Sequence, residues 1–175
     1  MNNIKKNLMR MFLGITILIY IALITFRPSV GTVSNLSMTI SLSLIIYVVY
    51  TQFLWKYNPM HKSILLAKRY KGRLISEYDG NERDVNVEIR QTLFTVQVFL
   101  QTDESRSSTL MSDIVEENGE KFLVYHFINN PQAKYKLNSP IHYGLCRLSI
   151  EDTSTLSGQY FTCRKTIGDI FLNSY

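Results

Sequence analysis

No aspartate or glutamate occurs before Glu77, and all fourteen acidic residues lie at or beyond it. The first 69 residues carry eight Lys and Arg against no acid. The net charge of +5 is therefore an average over two unlike parts. Residues 1–69 are +8, whereas residues 70–175, with eleven basic and fourteen acidic side chains, are −3. The basic balance gives no case for a DNA or RNA polymer as partner, because basic residues flanking apolar spans are what membrane topology requires. Cysteine is nearly absent. Cys146 and Cys163 cannot form a zinc site alone, and His142 stands in no ligand spacing with them. GxSxG, P-loop, HExxH and paired-carboxylate motifs are all missing. The chain is read as a non-enzyme with no metal or cofactor.

What the acid-free third does contain is two apolar runs. Met11 to Phe26 has no charge and is bracketed by Arg10 and Arg27. Extended back to Leu8, with Arg10 snorkelling, it reaches about 19 residues, enough to cross a core of roughly 30 Å at 1.5 Å per residue. Leu36 to Trp55 is uncharged, of about the same length, and ends in Trp55-Lys56-Tyr57, which suits an interface. The spans are expected at about 8–26 and 36–55. A cleaved signal peptide fits the first run less well, because Phe26-Arg27-Pro28 is no small-residue cleavage site and a second span follows at once. The hydroxyls of the second run leave a buried soluble helix as its alternative.

The connector, Arg27–Asn35, holds Pro28 and Gly31 and is long enough only for a helical hairpin. Lys5, Lys6 and Arg10 precede span one, and Lys56, Lys62, Lys68, Arg69, Lys71 and Arg73 follow span two; the connector has only Arg27. The positive-inside rule then puts both termini in the cytoplasm of a multi-pass membrane protein. Gly14 and Ala22 share one face of span one, and Ser34, Ser37 and Ser41 share one face of span two. Such small residues let helices approach closely in lipid, either within the hairpin or between copies. Residues 1–57 are read as membrane anchor, 58–69 as juxtamembrane linker and 70–175 as a cytoplasmic domain.

Beyond Tyr70 the apolar pattern has period two. Val85, Val87 and Ile89 alternate with Asn86, Glu88 and Arg90, and Leu123, Tyr125 and Phe127 do so with Val124 and His126. Turn signals fall at Asp79-Gly80-Asn81, Asn118-Gly119 and Asn130-Pro131. Eight strands are expected, at 70–78, 85–91, 94–101, 107–115, 121–129, 140–150, 156–165 and 168–173. Closing them into an up-and-down antiparallel β-barrel removes two free edges and an exposed apolar face. A sandwich is the alternative. Two free thiols are expected, Cys146 facing the lumen and Cys163 facing solvent, if a bulge or odd-length loop separates their strands.

The alternation also yields a lumen set that includes Tyr78, Gln91, Ser112, Tyr125, Asn129, His142, Tyr160, Thr162 and Arg164. Most of these are ordinary barrel residues. Arg164 stands apart, because a buried arginine needs an anionic partner and the inward set offers none. It either reaches a mouth and is solvated or receives an anion. Its planar fork suits phosphate, and nearby tyrosines suit nucleobases. Arg106 and Arg147 are candidates for a further phosphate, with a solvated place on the outer face as the favoured alternative for both.

The run Leu156-x-Gly158-x-Tyr160-x-Thr162-x-Arg164, with Gly168 following, the strand Leu123-x-Tyr125-x-Phe127-x-Asn129 with Pro131 after it, and the two-span layout resemble a known family. It is similar to the two-transmembrane, β-strand-rich effectors of cyclic-oligonucleotide-based anti-phage signalling (CBASS). The resemblance implies that a partner nucleotidyltransferase makes a cyclic dinucleotide, that the barrel binds it, and that the effector then assembles through its spans as a homo-oligomer and disrupts the bacterial inner membrane. The expected ligand contacts come from the lumen alternation rather than from the family: Tyr78, Gln91, Tyr125, His142, Tyr160, Thr162 and Arg164, the last three also lying in the matching run. Two other readings stay open: a lipocalin-like barrel for an apolar ligand, lined by Leu74, Val87, Ile89 and Leu148, and a constitutive pore-forming or structural membrane protein.

Overall fold

A computed structural model describes residues 2–58 and 64–175, with side chains from Lys6 onward. Lys62 and much of the expected linker lie outside the described residues, as does the side chain of Lys5. The chain forms two compact units, 1–63 and 64–175.

The first unit is a hairpin of α1 (Asn2–Phe26) and α2 (Thr32–Val49), the latter continuing through a π turn, Tyr50–Leu54, and a 3-10 turn, Trp55–Tyr57. Both helices are long and apolar enough to cross a membrane. The second starts at Thr32 rather than near Leu36, because Pro28 and Gly31 confine the break to Arg27–Gly31. The seam is aromatic and polar. Phe12 lies edge-on to Tyr47 and Tyr50, with centroids 4.9 and 5.6 Å away. Asn35 and Thr39 are buried one turn apart, and Thr39 Oγ1 donates to Asn35 O at 2.8 Å. Asn35 Oδ1 and Ser43 Oγ are buried without a partner among the described residues. Ser34, Ser37, Ser41, Gly14 and Ala22 lie on exposed faces, so the small-residue faces are not the ones that pack within the hairpin.

The second unit is a closed antiparallel barrel of eight strands in sequence order: β1 (Arg69–Ser76), β2 (Glu82–Gln91), β3 (Val96–Gln101), β4 (Ser105–Glu117), β5 (Glu120–Pro131), β6 (His142–Asp152), β7 (Thr155–Thr162) and β8 (Ile167–Ser174). The strand β8 pairs with β1 from Tyr70↔Ser174 to Ser76↔Gly168. A bulge between Ile150 and Asp152 sets the register Cys146↔Tyr160 and Leu148↔Gly158, which directs Cys146 into the core and leaves Cys163 exposed. This is the parity that the alternation requires.

Packing begins at Ile64, six residues before the expected start at Tyr70. Leu66 is buried in the barrel core, with Ile64 and Ala67 against it. Gln91 Nε2 donates to Ile64 O at 2.7 Å, and Gln91 Oε1 accepts from Leu66 N at 3.1 Å. Tyr70 Oη accepts from Ala67 N at 2.9 Å and donates to Thr153 O at 2.6 Å. These contacts stopper one end. Val85, Val98, Leu123, Leu148, Leu156, Ile170 and Leu172 fill the lumen above it, as an eight-stranded barrel allows. The opposite end stays open.

Candidate functional site

The open end holds a cavity of about 330 Å³. Its rim comes from four connections: the β1–β2 turn with Tyr78 and Asp79, the β3–β4 turn with Glu104, the β5–β6 loop with Tyr135, Asn138 and Ser139, and the β7–β8 turn with Arg164. Its inner wall includes Tyr125, Phe127, Tyr160 and Ile170. Glycine makes room for two of these rings. A Cβ on Gly144 would lie 2.3 Å from Phe127 Cζ, and one on Gly168 would lie 2.4 Å from Tyr160 Cε1.

Six of the seven expected contacts line this cavity: Tyr78, Tyr125, His142, Tyr160, Thr162 and Arg164. Gln91 does not. It faces inward but sits at the stoppered end, with both amide groups committed to the chain at Ile64 and Leu66. Period-two parity distinguishes inside from outside and carries no information about which end of the barrel a residue occupies. Ser112, also assigned to the lumen, stands opposite the enclosed Tyr125 and donates to Val96 O, outside the cavity lining. Arg106 and Arg147 are on the exposed outer surface, Arg147 held by Glu117 at 2.7 Å and stacked on Phe122, so neither adds a cation to the cavity.

The six differ in role. Tyr78 is 80% exposed, because β1 ends at Ser76 and places it in the turn. Tyr125 is fully enclosed and hydrogen-bonded to Cys146; burial raises the tyrosine hydroxyl's pKa and pushes the thiol up to about 12, so neither ionises at neutral pH. Burial likewise raises Tyr160, which bonds Ser76. His142 Nδ1 lies 2.8 Å from Pro140 O. A carbonyl only accepts, so Nδ1 carries a proton and Nε2 is left for another partner. Thr162 shapes its turn: Oγ1 meets Thr166 Oγ1 at 2.6 Å and accepts from Arg164 N at 3.3 Å.

Arg164 is not a strand residue. The strand β7 stops at Thr162, and Arg164 is exposed at the rim. Its Nη1 and Nη2 donate to Ser139 Oγ at 2.8 Å and Asn138 O at 3.1 Å, both neutral acceptors. Among the described residues no carboxylate forms a salt bridge with it. A second arginine, Arg83, also lines the cavity. It occupies the inward parity of Val85, Val87 and Ile89 but lies just before the run in which alternation becomes visible. Extending that alternation two residues toward the N-terminus would have found it. Arg83 Nη2 meets Asp79 Oδ2 at 2.5 Å, and its Nε meets Glu104 Oε2 at 2.9 Å.

A closed barrel with one open, arginine- and tyrosine-rimmed cavity invites comparison with known receptors. Residues 66–174 match the family described as "Cap15, cyclic dinucleotide receptor domain". The chain belongs to the Cap15 family. It is also 31% identical over 179 residues to "CD-NTase-associated protein 15" of Staphylococcus schleiferi, covering 98% of both chains. Because that match runs the full length, it includes the hairpin as well as the barrel, in agreement with the CBASS-effector resemblance. The Cap15 family match begins at residue 66, which is Leu66, the first buried residue of the barrel core. The family is described as a receptor, not as a catalyst. Among the described residues no cluster of His, Cys, Asp and Glu is placed to hold a metal.

Proposed function

We propose that this chain is an anti-phage effector whose open cavity binds a cyclic dinucleotide and whose hairpin then assembles with other copies to disrupt the bacterial inner membrane. The observation that carries the binding half is Arg164. It is a cation on the cavity rim, held by neutral oxygens, and a phosphate can join it without displacing a carboxylate. Arginine meets phosphate with paired, charge-assisted hydrogen bonds. Tyr78 and Tyr135 on the rim offer faces for bases, a contact that contributes about 1–3 kcal/mol per base. At about 330 Å³ the cavity is near the small end of ligand sites, roughly 300–1,000 Å³. One nucleoside phosphate enters and the other half rests on the rim. The lower lumen is filled by its own side chains, Leu123, Leu148 and Leu156 among them, which leaves a lipocalin-like apolar ligand no room there.

The basic flanks support an orientation with both termini cytoplasmic, with Lys6 and Arg10 in the first turns of α1 and Lys56, Lys68 and Arg69 after α2. The exposed faces of Gly14 and Ala22 on α1, and of Ser34, Ser37 and Ser41 on α2, favour packing between copies over packing within one. Two buried polar atoms of the hairpin that have no partner among the described residues, Asn35 Oδ1 and Ser43 Oγ, favour a rearranged pairing in the assembled state. To move assembly from 1:99 to 99:1, the ligand must favour the assembled state by about 5.5 kcal/mol.

The test is calorimetry of the full chain in detergent micelles against a panel of cyclic dinucleotides that includes cyclic di-AMP, cyclic di-GMP and cyclic GMP-AMP. A micromolar or tighter dissociation constant for one member is expected, together with a ligand-dependent rise in oligomer size. Absence of binding by folded protein would leave a constitutive membrane protein as the better reading.

A further inference from the structure

The two arginines of the cavity are in opposite states. Among the described residues Arg164 touches neutral acceptors only, whereas the fork of Arg83 is fully engaged by carboxylates. Asp79, on the β1–β2 turn, takes both Nη atoms, Nη2 at 2.5 Å and Nη1 at 3.2 Å. Glu104, on the β3–β4 turn, takes Nε at 2.9 Å. Asp79 is itself positioned, accepting from Asn81 N at 3.1 Å and from Asn81 Nδ2 at 3.0 Å. A bidentate carboxylate presents to guanidinium the same pair of oxygens that a phosphate would. The Arg83 side chain is about a quarter exposed and all three residues line the cavity, so an anionic ligand entering the rim meets this pair directly.

Given the cyclic dinucleotide reading on which this rests, we infer that Asp79 and Glu104 are built-in competitors for Arg83, and that a ligand phosphate takes Arg83 by displacing them. The exchange has two consequences. Arg83 ties the β1–β2 turn to the β3–β4 turn across the rim, so displacement releases both turns and links occupancy to a change of rim shape. It also sets selectivity. A ligand with one phosphate is satisfied at Arg164 and leaves the clamp closed, whereas a ligand with two phosphates can open it. Proton uptake by Asp79 does not loosen its hold on Arg83 near neutral pH, because the Arg83 guanidinium holds the Asp79 carboxyl well below the usual carboxylate range.

The inference predicts an inverted response to mutation. Neutralising a competitor tightens binding: Asp79→Asn and Glu104→Gln each bind the dinucleotide about five-fold more tightly, as loss of a partly exposed ion pair implies. Arg83→Gln weakens binding, and Arg83→Lys, which keeps the charge and loses the fork, weakens it as well. A staple that only stabilises the rim predicts the reverse for the acidic variants, which would then bind equally or less well. The experiment titrates full chain in micelles, wild type and variants, with the three dinucleotides named above and separately with inorganic pyrophosphate, and follows the Arg83 Nε–H resonance. Tighter binding by Asp79→Asn and Glu104→Gln, with a shift of that resonance on saturation, supports exchange. Dinucleotide binding that the acidic variants leave unchanged or weaken overturns exchange and leaves the receptor reading intact. If no dinucleotide binds but pyrophosphate binds more tightly to the acidic variants, exchange survives and the dinucleotide reading fails. If neither probe binds any folded variant, both fail.

Discussion

Replacing Gln91 with leucine separates a residue that shapes the receptor from one that touches its ligand. The amide makes two hydrogen bonds to the chain entering the barrel, 2.7 Å to Ile64 O and 3.1 Å from Leu66 N. Leucine keeps the volume and orphans both partners. An unsatisfied buried group costs about 1–3 kcal/mol. Gln91 is half-buried, so solvent recovers part of that loss, and the expected total is about 1–3 kcal/mol. For a barrel of this size the midpoint of thermal unfolding should fall by roughly 4–15 °C. The sole tryptophan, Trp55, is in the hairpin, so unfolding of the barrel is best followed by hydrogen exchange of β1 and β2 amides. Dinucleotide affinity should stay within about two-fold of wild type, since a site distant from the ligand carries little coupling. Unchanged stability with lost binding would refute the assignment and return Gln91 to the ligand site.

Charge reversal at Arg164 should weaken dinucleotide binding at least about 100-fold while leaving the fold intact, because its present partners are neutral and exposed; calorimetry with a melting control checks it, and unaltered affinity would remove Arg164 from the site. Gly168→Ala should both destabilise the barrel and weaken binding, since the new Cβ would lie 2.3 Å from Ile75 O and 2.4 Å from the Tyr160 ring; a fully stable, fully binding variant would contradict the packing. Alkylation of native protein at pH 8 should label Cys163 and spare Cys146, whose thiol keeps its proton up to about 12. The folded state retains that proton after the unfolded chain has lost it near 9.0, so barrel stability should fall as pH rises from there through about 12. Tyr70, Tyr125 and Tyr160, also raised by burial, push the same way. A flat alkaline limb in urea unfolding would contradict this burial.

The architecture was legible because each part obeys one strong local rule. Absence of acid across 69 residues marks the hairpin, and strict alternation with Asn-Gly and Asp-Gly turns marks the barrel. Even the parity of Cys146 and Tyr160 could be read, because one bulge at the β6–β7 turn satisfies both strands. Element ends were harder. Arg164 and Tyr78 were assigned to strands, yet the ladder stops two residues earlier in each case. The reason is physical: Thr162 and Asp79 close their turns with side-chain hydrogen bonds, which compete with the sheet ladder for the backbone. Those side-chain bonds place Arg164 and Tyr78 on the rim.

What local pattern could not supply was the axial coordinate. A lumen residue at the stoppered end and one at the open end share the same parity, as Gln91 and Arg83 do on opposite ends of β2. Telling them apart requires knowing that the entering segment, Ile64 to Ala67, packs into the end nearer Gln91. That contact spans 27 residues and leaves no periodic trace. Once it is known, the polarity of the barrel follows. The chain enters at the filled end, so the longest connection, the β5–β6 loop with its Tyr135 turn, falls at the other. Loops free of packing duties carry recognition groups, and this one contributes Tyr135, Asn138 and Ser139 to the cavity. The same polarity puts Arg83, rather than Gln91, in the wall of the open cavity.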